Sequence, residues 1–186
     1  MAGIYKTEGV ILRQSEVGEA DKLLTVYSRD FGKITILAKS SRLLQSKLKG
    51  HLKTGAYLRL MFVQGADRLL LTDAQELGLN DQDVFCRSLF FPALSFLNRI
   101  IQGSEKDEAV WRLLLRFLEE GCVFEEARKI FMARLLHRLG YVDENHYSEL
   151  KEIIKNETQW NFDISEKQTA VEIDALIETG LEVSHL

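Results

Sequence analysis

Proline occurs once in the 186 residues, at Pro92, and cysteine twice, at Cys86 and Cys122. With so little proline and no low-complexity tract, a disordered linker is excluded. Two cysteines 36 positions apart supply neither a four-cysteine zinc site nor a disulfide framework. Both fall on apolar segments and read as small buried side chains. No apolar run reaches the ~18–20 residues of a membrane span. Residues 1–12 lack the basic start and apolar core of a secretory signal, so the expected compartment is a reducing cytoplasm. Catalytic signatures are missing as well: no G-x-x-x-x-G-K-[ST], H-E-x-x-H, G-x-S-x-G or G-x-G-x-x-G is found. His51, His137, His146 and His185 have no i, i+4 spacing that would place two ligands on one helix face. A protein without catalytic chemistry, cofactor or metal is expected.

Acidic residues are missing from one long stretch. The formal net charge is −4, yet residues 1–80 carry 12 basic and 8 acidic side chains, and residues 139–186 carry 3 basic and 11 acidic. From Phe31 to Ala66 there is no Asp or Glu, while Lys33, Lys39, Arg42, Lys47, Lys49, Lys53 and Arg59 all fall there. Cations without counter-charges repel one another, and a polyanion relieves that repulsion. On charge alone, a DNA site and a solvated face explain this stretch equally well.

What is present reads first as β-structure. Thr7–Arg13, Lys22–Ser28, Lys33–Lys39, Tyr57–Val63 and Arg68–Ala74 are short runs rich in β-branched and aromatic residues. Gly18, Asp30–Gly32 and Gln64–Asp67 separate them as turn signals. In the fourth run Leu58, Leu60 and Phe62 alternate with Tyr57, Arg59 and Met61. Five short strands, with a long basic break at Ser40–Gly55, predict an OB-fold, a five-stranded partly open barrel. After Asn80 the period becomes helical. Asp83–Gln102 is predicted as a helix that Pro92 divides or kinks. Ser104 is a candidate N-cap for Glu105–Glu120, and Phe124–Leu139 follows with Gly140 as its stop. A further helix over Tyr147–Asn156 is expected, then one capped by Ser165 and Gln168 and ending near Gly180. The predicted class is α+β: an OB-fold domain over residues 1–79, then an α-helical domain over 80–186 with an acidic C-terminal region.

Lys33, Thr35 and Lys39 share one face of the third strand, and Tyr57 shares the polar face of the fourth with Arg59. Arg42, Lys47, Lys49 and Lys53 occupy the connection. Cations for phosphates and a ring for a base are what single-strand binding requires, although Tyr57 equally suits a barrel plug. Glu19 and Asp21 are a carboxylate pair to weigh for metal-assisted hydrolysis; beside Gly18 they suit backbone N–H acceptance better. Phe85, Phe90, Phe91 and Phe96 are too many rings for one helix face, and suit either a seam between domains or a peptide groove.

Certain of these residues form a familiar succession. Thr7-Glu8-Gly9-Val10-Ile11-Leu12 leads to Gly18-Glu19-x-Asp21-x-Leu23-Leu24-Thr25, then to Phe31-Gly32-Lys33, Ala38-Lys39 and Ser46-Lys47-Leu48. Residues 6–49 thereby resemble the RecO family of bacterial DNA-repair and recombination mediators. Arg134-Leu135-Leu136-x-x-Leu139-Gly140-Tyr141 is similar to the family's helix before its cysteine-bearing insert. The resemblance implies a mediator that binds single- and double-stranded DNA, anneals strands and, with RecR, helps place RecA, in the cytoplasm on the nucleoid. It also implies docking of the single-strand binding protein's C-terminal tail on the helical domain, for which Arg112, Arg116, Arg128 and Arg134 are candidates. Three departures stand out: Ser40 where the family has Gly, Leu43 and Leu44 where basic or proline-containing sequence is common, and no four-cysteine module. The last makes the chain look like a shortened member without zinc. The alternative is an adaptor whose barrel meets an acidic protein, with the acidic region able to cover the basic face.

Overall fold

The computed structural model describes residues 3–42, 50–78, 84–120, 124, 126–147, 149–156, 158–162, 164 and 167–184. Among them are five strands: β1 (Ile4–Val17), β2 (Asp21–Ser28), β3 (Gly32–Ala38), β4 (Tyr57–Gln64) and β5 (Leu69–Glu76). Five helices follow: α1 (Val84–Ile100), α2 (Glu108–Glu119), α3 (Ala127–Arg138), α4 (Lys151–Lys155) and α5 (Lys167–Val183). The chain divides into two compact units, Met1–Asp81 with Ile101–Glu108, and Gln82–Ile100 with Ala109–Leu186.

In the first unit the strands close into a barrel in the order β1-β2-β3-β5-β4. Every neighbouring pair is antiparallel except β3 and β5. This is the OB-fold that the sequence predicts, followed by helices. Closure rests on β1, which is fourteen residues long rather than the predicted seven. Ile4–Val10 pairs with β4 and Gly9–Val17 with β2, so Gly9 and Val10 have partners on both sides. The strand must bend sharply there. A Cβ on Gly9 would lie 2.6 Å from Val26 Cγ1, and the register shifts between Ile11 and Arg13, as a bulge does where a sheet coils. The alternation in β4 is as predicted: Leu58, Leu60 and Phe62 join Ile11, Leu24, Val26 and Ile36 in the barrel core. Leu52, from the β3–β4 connection, is fully buried in the same core, a contribution of roughly 2 kcal/mol. Tyr5, Phe31 and Phe62 form a cluster with centroids 5.4–5.7 Å apart.

Ser104 does not cap a helix. The helix begins at Glu108 instead, because Ile101–Glu108 packs on the barrel. Gly32 has φ +61°, and a Cβ there would stand 2.4 Å from the Glu105 carbonyl oxygen and 2.7 Å from that of Ser104. The Tyr27 hydroxyl donates to the Asp107 carbonyl at 3.4 Å, and the Lys33 ammonium donates to the Ile101 carbonyl. Burial, reinforced by Asp107, pushes the Tyr27 phenol up to about 12.

In the helical unit α1 runs unbroken through Pro92, because Phe90, Ala93, Leu94 and Leu97 are buried on both sides of it. Phe117 of α2 is the centre of the packing: it stacks on Phe131 at 4.5 Å and meets Phe90 at 5.6 Å and Trp160 at 5.7 Å. Gly140, at φ +75°, ends α3 as predicted, with Tyr141 N–H donating to the Leu136 carbonyl. Gly180 is not a stop. The last helix passes through it, since a Cβ there would lie 2.6 Å from Leu136 Cδ1. The predicted cap Ser165, together with Gly121 and Cys122, lies outside the described residues, as do the side chains of Phe85 and Cys86. In the acidic C-terminal region, among the described residues, Leu150, Ile153, Trp160, Ile173 and Leu176 are buried.

Two outcomes follow. Gly32→Ala forces a left-handed residue with a Cβ, costing about 1–2 kcal/mol, and displaces the Ser104–Glu105 backbone. Urea unfolding should show a loss above about 2 kcal/mol. For Tyr27, the proton is held more tightly in the folded state. Its stabilisation is complete below about pH 10 and is lost as pH rises to about 12. Stability should fall by up to about 2–3 kcal/mol across that window, and Tyr27→Phe should flatten this component.

Candidate nucleic-acid interface

The β1–β2 hairpin, the end of β3 and both flanks of the β3–β4 connection meet at one end of the barrel. Val17 pairs with Asp21, and Lys22 with Ala38. Ser40 sits in the left-handed region at φ 53°, the conformation that favours glycine, and its N–H donates to Asp21 Oδ1 at 2.8 Å. Asp21 thus accepts a backbone N–H at a turn, which is the structural role weighed for it in the sequence. Among the described residues no group of three or more His, Cys, Asp or Glu is placed to hold a metal ion. On the return, Lys22 Nζ donates to Gln14 Oε1 and to the Leu52 carbonyl at 2.9 and 3.1 Å. Gly55 N–H donates to the Ile11 carbonyl, and Ile11 N–H to that of Ala56.

The described residues among the predicted DNA contacts divide into three groups. Lys39 and Lys53 are exposed, and neither side chain forms an ion pair or hydrogen bond with another described residue. Arg42 is tied down: its guanidinium lies 3.1 Å from Glu16 and donates to the Gly18 carbonyl at 3.2 Å. Arg59 is exposed 3.8 Å from Glu8, and the Tyr57 hydroxyl donates to the same carboxylate at 2.9 Å. Tyr57, half-buried, therefore spends its polar end on β1. Lys33 is half-buried, its ammonium is engaged by Ile101, and burial lowers its pKa. Lys47, Lys49, Leu43 and Leu44 lie outside the described residues. The stretch that lacks acids along the chain receives them from β1 and β5, since His51 also lies 2.9 Å from Glu76.

On the outer face of β2, β3 and β5 an open groove of about 520 Å³ is lined by Leu23, Thr35, Gln64, Asp67, Arg68 and Leu69. Sequence reasoning singled out none of these except Thr35. The signal was available: Arg68 sits in the β4–β5 turn, one of the loops by which OB-folds take oligonucleotides.

On the helical unit, Arg112 of α2 is exposed, and Arg116 of α2 and Arg128 of α3 are half-buried. Arg134 is a correction. It is 1% exposed and is no docking residue. Its guanidinium donates to the carbonyls of Ile153 at 2.8 Å, Gln159 at 2.7 Å and Asn156, and lies 4.6 Å from the Trp160 ring centroid. Burial, with the nearby Arg116 charge, lowers its pKa to about 10. It clamps the chain after α4 onto α3. Of the rings in α1, Phe90 and Phe96 are buried, while Phe91 is exposed. Among the described residues no helix is long and apolar enough to cross a membrane.

A family model described as Recombination protein O N terminal matches residues 1–75. A DNA repair protein RecO from Dehalococcoides mccartyi (strain CBDB1) is 32% identical over 146 residues, covering 75% of this chain and 58% of the relative. One from Roseiflexus sp. (strain RS-1) is 26% identical over 144 residues, covering 74% of this chain and 50% of the relative. One from Bifidobacterium adolescentis is 34% identical over 75 residues, 40% of this chain and 30% of the relative. The chain spans 50–58% of the length of the first two.

Removing the Arg134 clamp orphans three carbonyls. Arg134→Ala should destabilise the helical unit by more than about 2 kcal/mol, whereas Arg112→Ala, on the exposed face, should stay within about 0.5 kcal/mol. Thermal unfolding of both variants checks this.

Proposed function

The chain belongs to the RecO family, and from that premise we propose that it is a DNA-binding mediator of DNA repair that works without catalytic chemistry. The observation that carries the proposal is the pair Lys39 and Lys53. They stand exposed and without a described counter-charge on the two flanks of the segment that holds Lys47 and Lys49. Phosphates of single- or double-stranded DNA lie across this end of the barrel. Arg42 and Arg59 add weaker contacts, because each must share its charge with a carboxylate.

Annealing needs no covalent step: cations lower the repulsion between two strands, and thermal sampling finds the register. By the family resemblance, the same protein cooperates with RecR in placing RecA on DNA coated by single-strand binding protein. That protein's acidic tail docks on the helical unit near Arg112, Arg116 and Arg128. Arg134 is left out because it is buried. The burial of Leu150, Ile153, Trp160, Ile173 and Leu176 weighs against the acidic region being a loose cover for the basic face.

If four or five cations contact phosphates, log K against log salt for a single strand should have a slope near −3. Replacing Lys39, Arg42, Lys47 and Lys49 together by Ala should bring that slope to between zero and about −0.7 and weaken all sequences alike. A wild-type slope near zero would sink the proposal and favour an adaptor that meets proteins.

A further inference from the structure

The groove over β2, β3 and β5 has a chemistry that phosphate binding does not use. Its walls include the half-buried Leu23 and Leu69, and its rim carries Thr35, Gln64, Asp67 and Arg68. The register holds it together: Leu23 pairs with Leu37, and β5 lies parallel to β3 with Leu37 opposite Leu70. The β4–β5 turn is set by Gly65 N–H donating to the Arg68 carbonyl at 3.0 Å. Gln64 Nε2 donates to the Gly65 carbonyl. The side chains of Asp67 and Arg68 make no hydrogen bond or ion pair with another described residue. Thr35, which lines the groove, and Lys39, the residue after β3, fall on the same side of the strand's alternation.

We propose that this groove holds an unpaired nucleobase of a DNA single strand, and that Asp67 selects bases bearing an exocyclic amine. The inference rests on the DNA-binding reading above. At about 520 Å³ the groove falls in the range of small-ligand sites, and its openness to solvent lets a strand pass across it. Asp67 repels a phosphate from the interior, while Arg68 and Lys39 attract it alongside. The backbone therefore runs outside and the base turns in. A carboxylate accepts from the N4 amine of cytosine. Thymine presents only an imide N–H between two carbonyls, whose oxygens face the carboxylate unfavourably. None of the described lining residues is aromatic, so discrimination comes from the base edge and not from stacking. In a duplex that edge is already paired, and the groove stays unused.

The test is fluorescence anisotropy on the full chain with oligodeoxycytidine, oligothymidine of equal length and a duplex. The wild type should prefer cytidine about fivefold. Asp67→Asn should narrow that ratio to within about twofold. Removing a negative charge strengthens binding to every strand, but it cancels in the ratio. Thr35→Trp, which fills the groove, should likewise abolish the preference while leaving duplex affinity in place. An equal ratio in wild type and Asp67→Asn overturns the inference. If the wild type binds with the expected salt slope but without base preference, the phosphate proposal stands and this one falls. If it binds none of the three, both fall.

Discussion

Everything at the candidate interface depends on one strand serving two neighbours. β1 pairs with β4 through its first half and with β2 through its second, and at Gly9 and Val10 it does both. Only a residue without a side chain passes the point where Val26 and Leu60 crowd inward. The shift between Ile11 and Arg13 then turns the strand. The same turn leaves the Ile11 backbone to bond Gly55 and Ala56, which fixes the return of the β3–β4 connection. The end of β1 also carries the hairpin whose Asp21 receives Ser40. Barrel closure and the placement of Lys39 and Lys53 are consequences of one bend.

Charge along the chain and charge in space are different quantities here. Phe31 to Ala66 contains no acid, yet barrel closure brings Glu8 to Arg59, Glu16 to Arg42 and Glu76 to His51. These pairs are solvent-exposed, and such pairs contribute at most about 1 kcal/mol. A phosphate could displace the carboxylate at that modest cost, so in the proposed interface Arg42 and Arg59 are weaker contacts than Lys39 and Lys53. Lys33 differs in kind. Its ammonium is held by a carbonyl of the Ile101–Glu108 segment, so its contribution is to bind that segment to the barrel.

The parts legible in the sequence were those set by local pattern. Alternation in Tyr57–Val63 places Leu58, Leu60 and Phe62 inside, and a glycine after a helical run stops α3 at Gly140. What was not legible depends on neighbours distant in the chain. Ser104 has the chemistry of an N-cap, but its backbone is drawn against Gly32, seventy-odd positions earlier. Gly180 looks like a helix stop until Leu136 is set against it. Arg134 carries a charge that belongs on a surface by composition, yet it takes carbonyls in α4 and after it, and the face of Trp160. Lys39, Lys53 and the place of Asp67 and Arg68 in the β4–β5 turn were within reach of sequence reasoning, whereas the gathering of Leu23, Thr35 and Leu69 beside that turn needed the parallel pairing of β3 and β5.

Ser40 connects these themes. A non-glycine residue at positive φ costs about 1 kcal/mol, and Asp21 offsets this by accepting the Ser40 N–H. Asp21 of the first hairpin thereby has a role in the turn it stabilises. On the next residues Arg42 N–H donates to the Ala20 carbonyl while its side chain meets Gly18 and Glu16. The basic connection thus leaves the barrel bonded to one hairpin and returns bonded to Lys22 and Ile11. A site for a flexible polyanion gains little from rigid side chains, since phosphate contacts carry charge and no base information. In the proposed reading it gains from fixed flanks, which hold the cations at one end of the barrel beside the groove of Thr35 and Asp67.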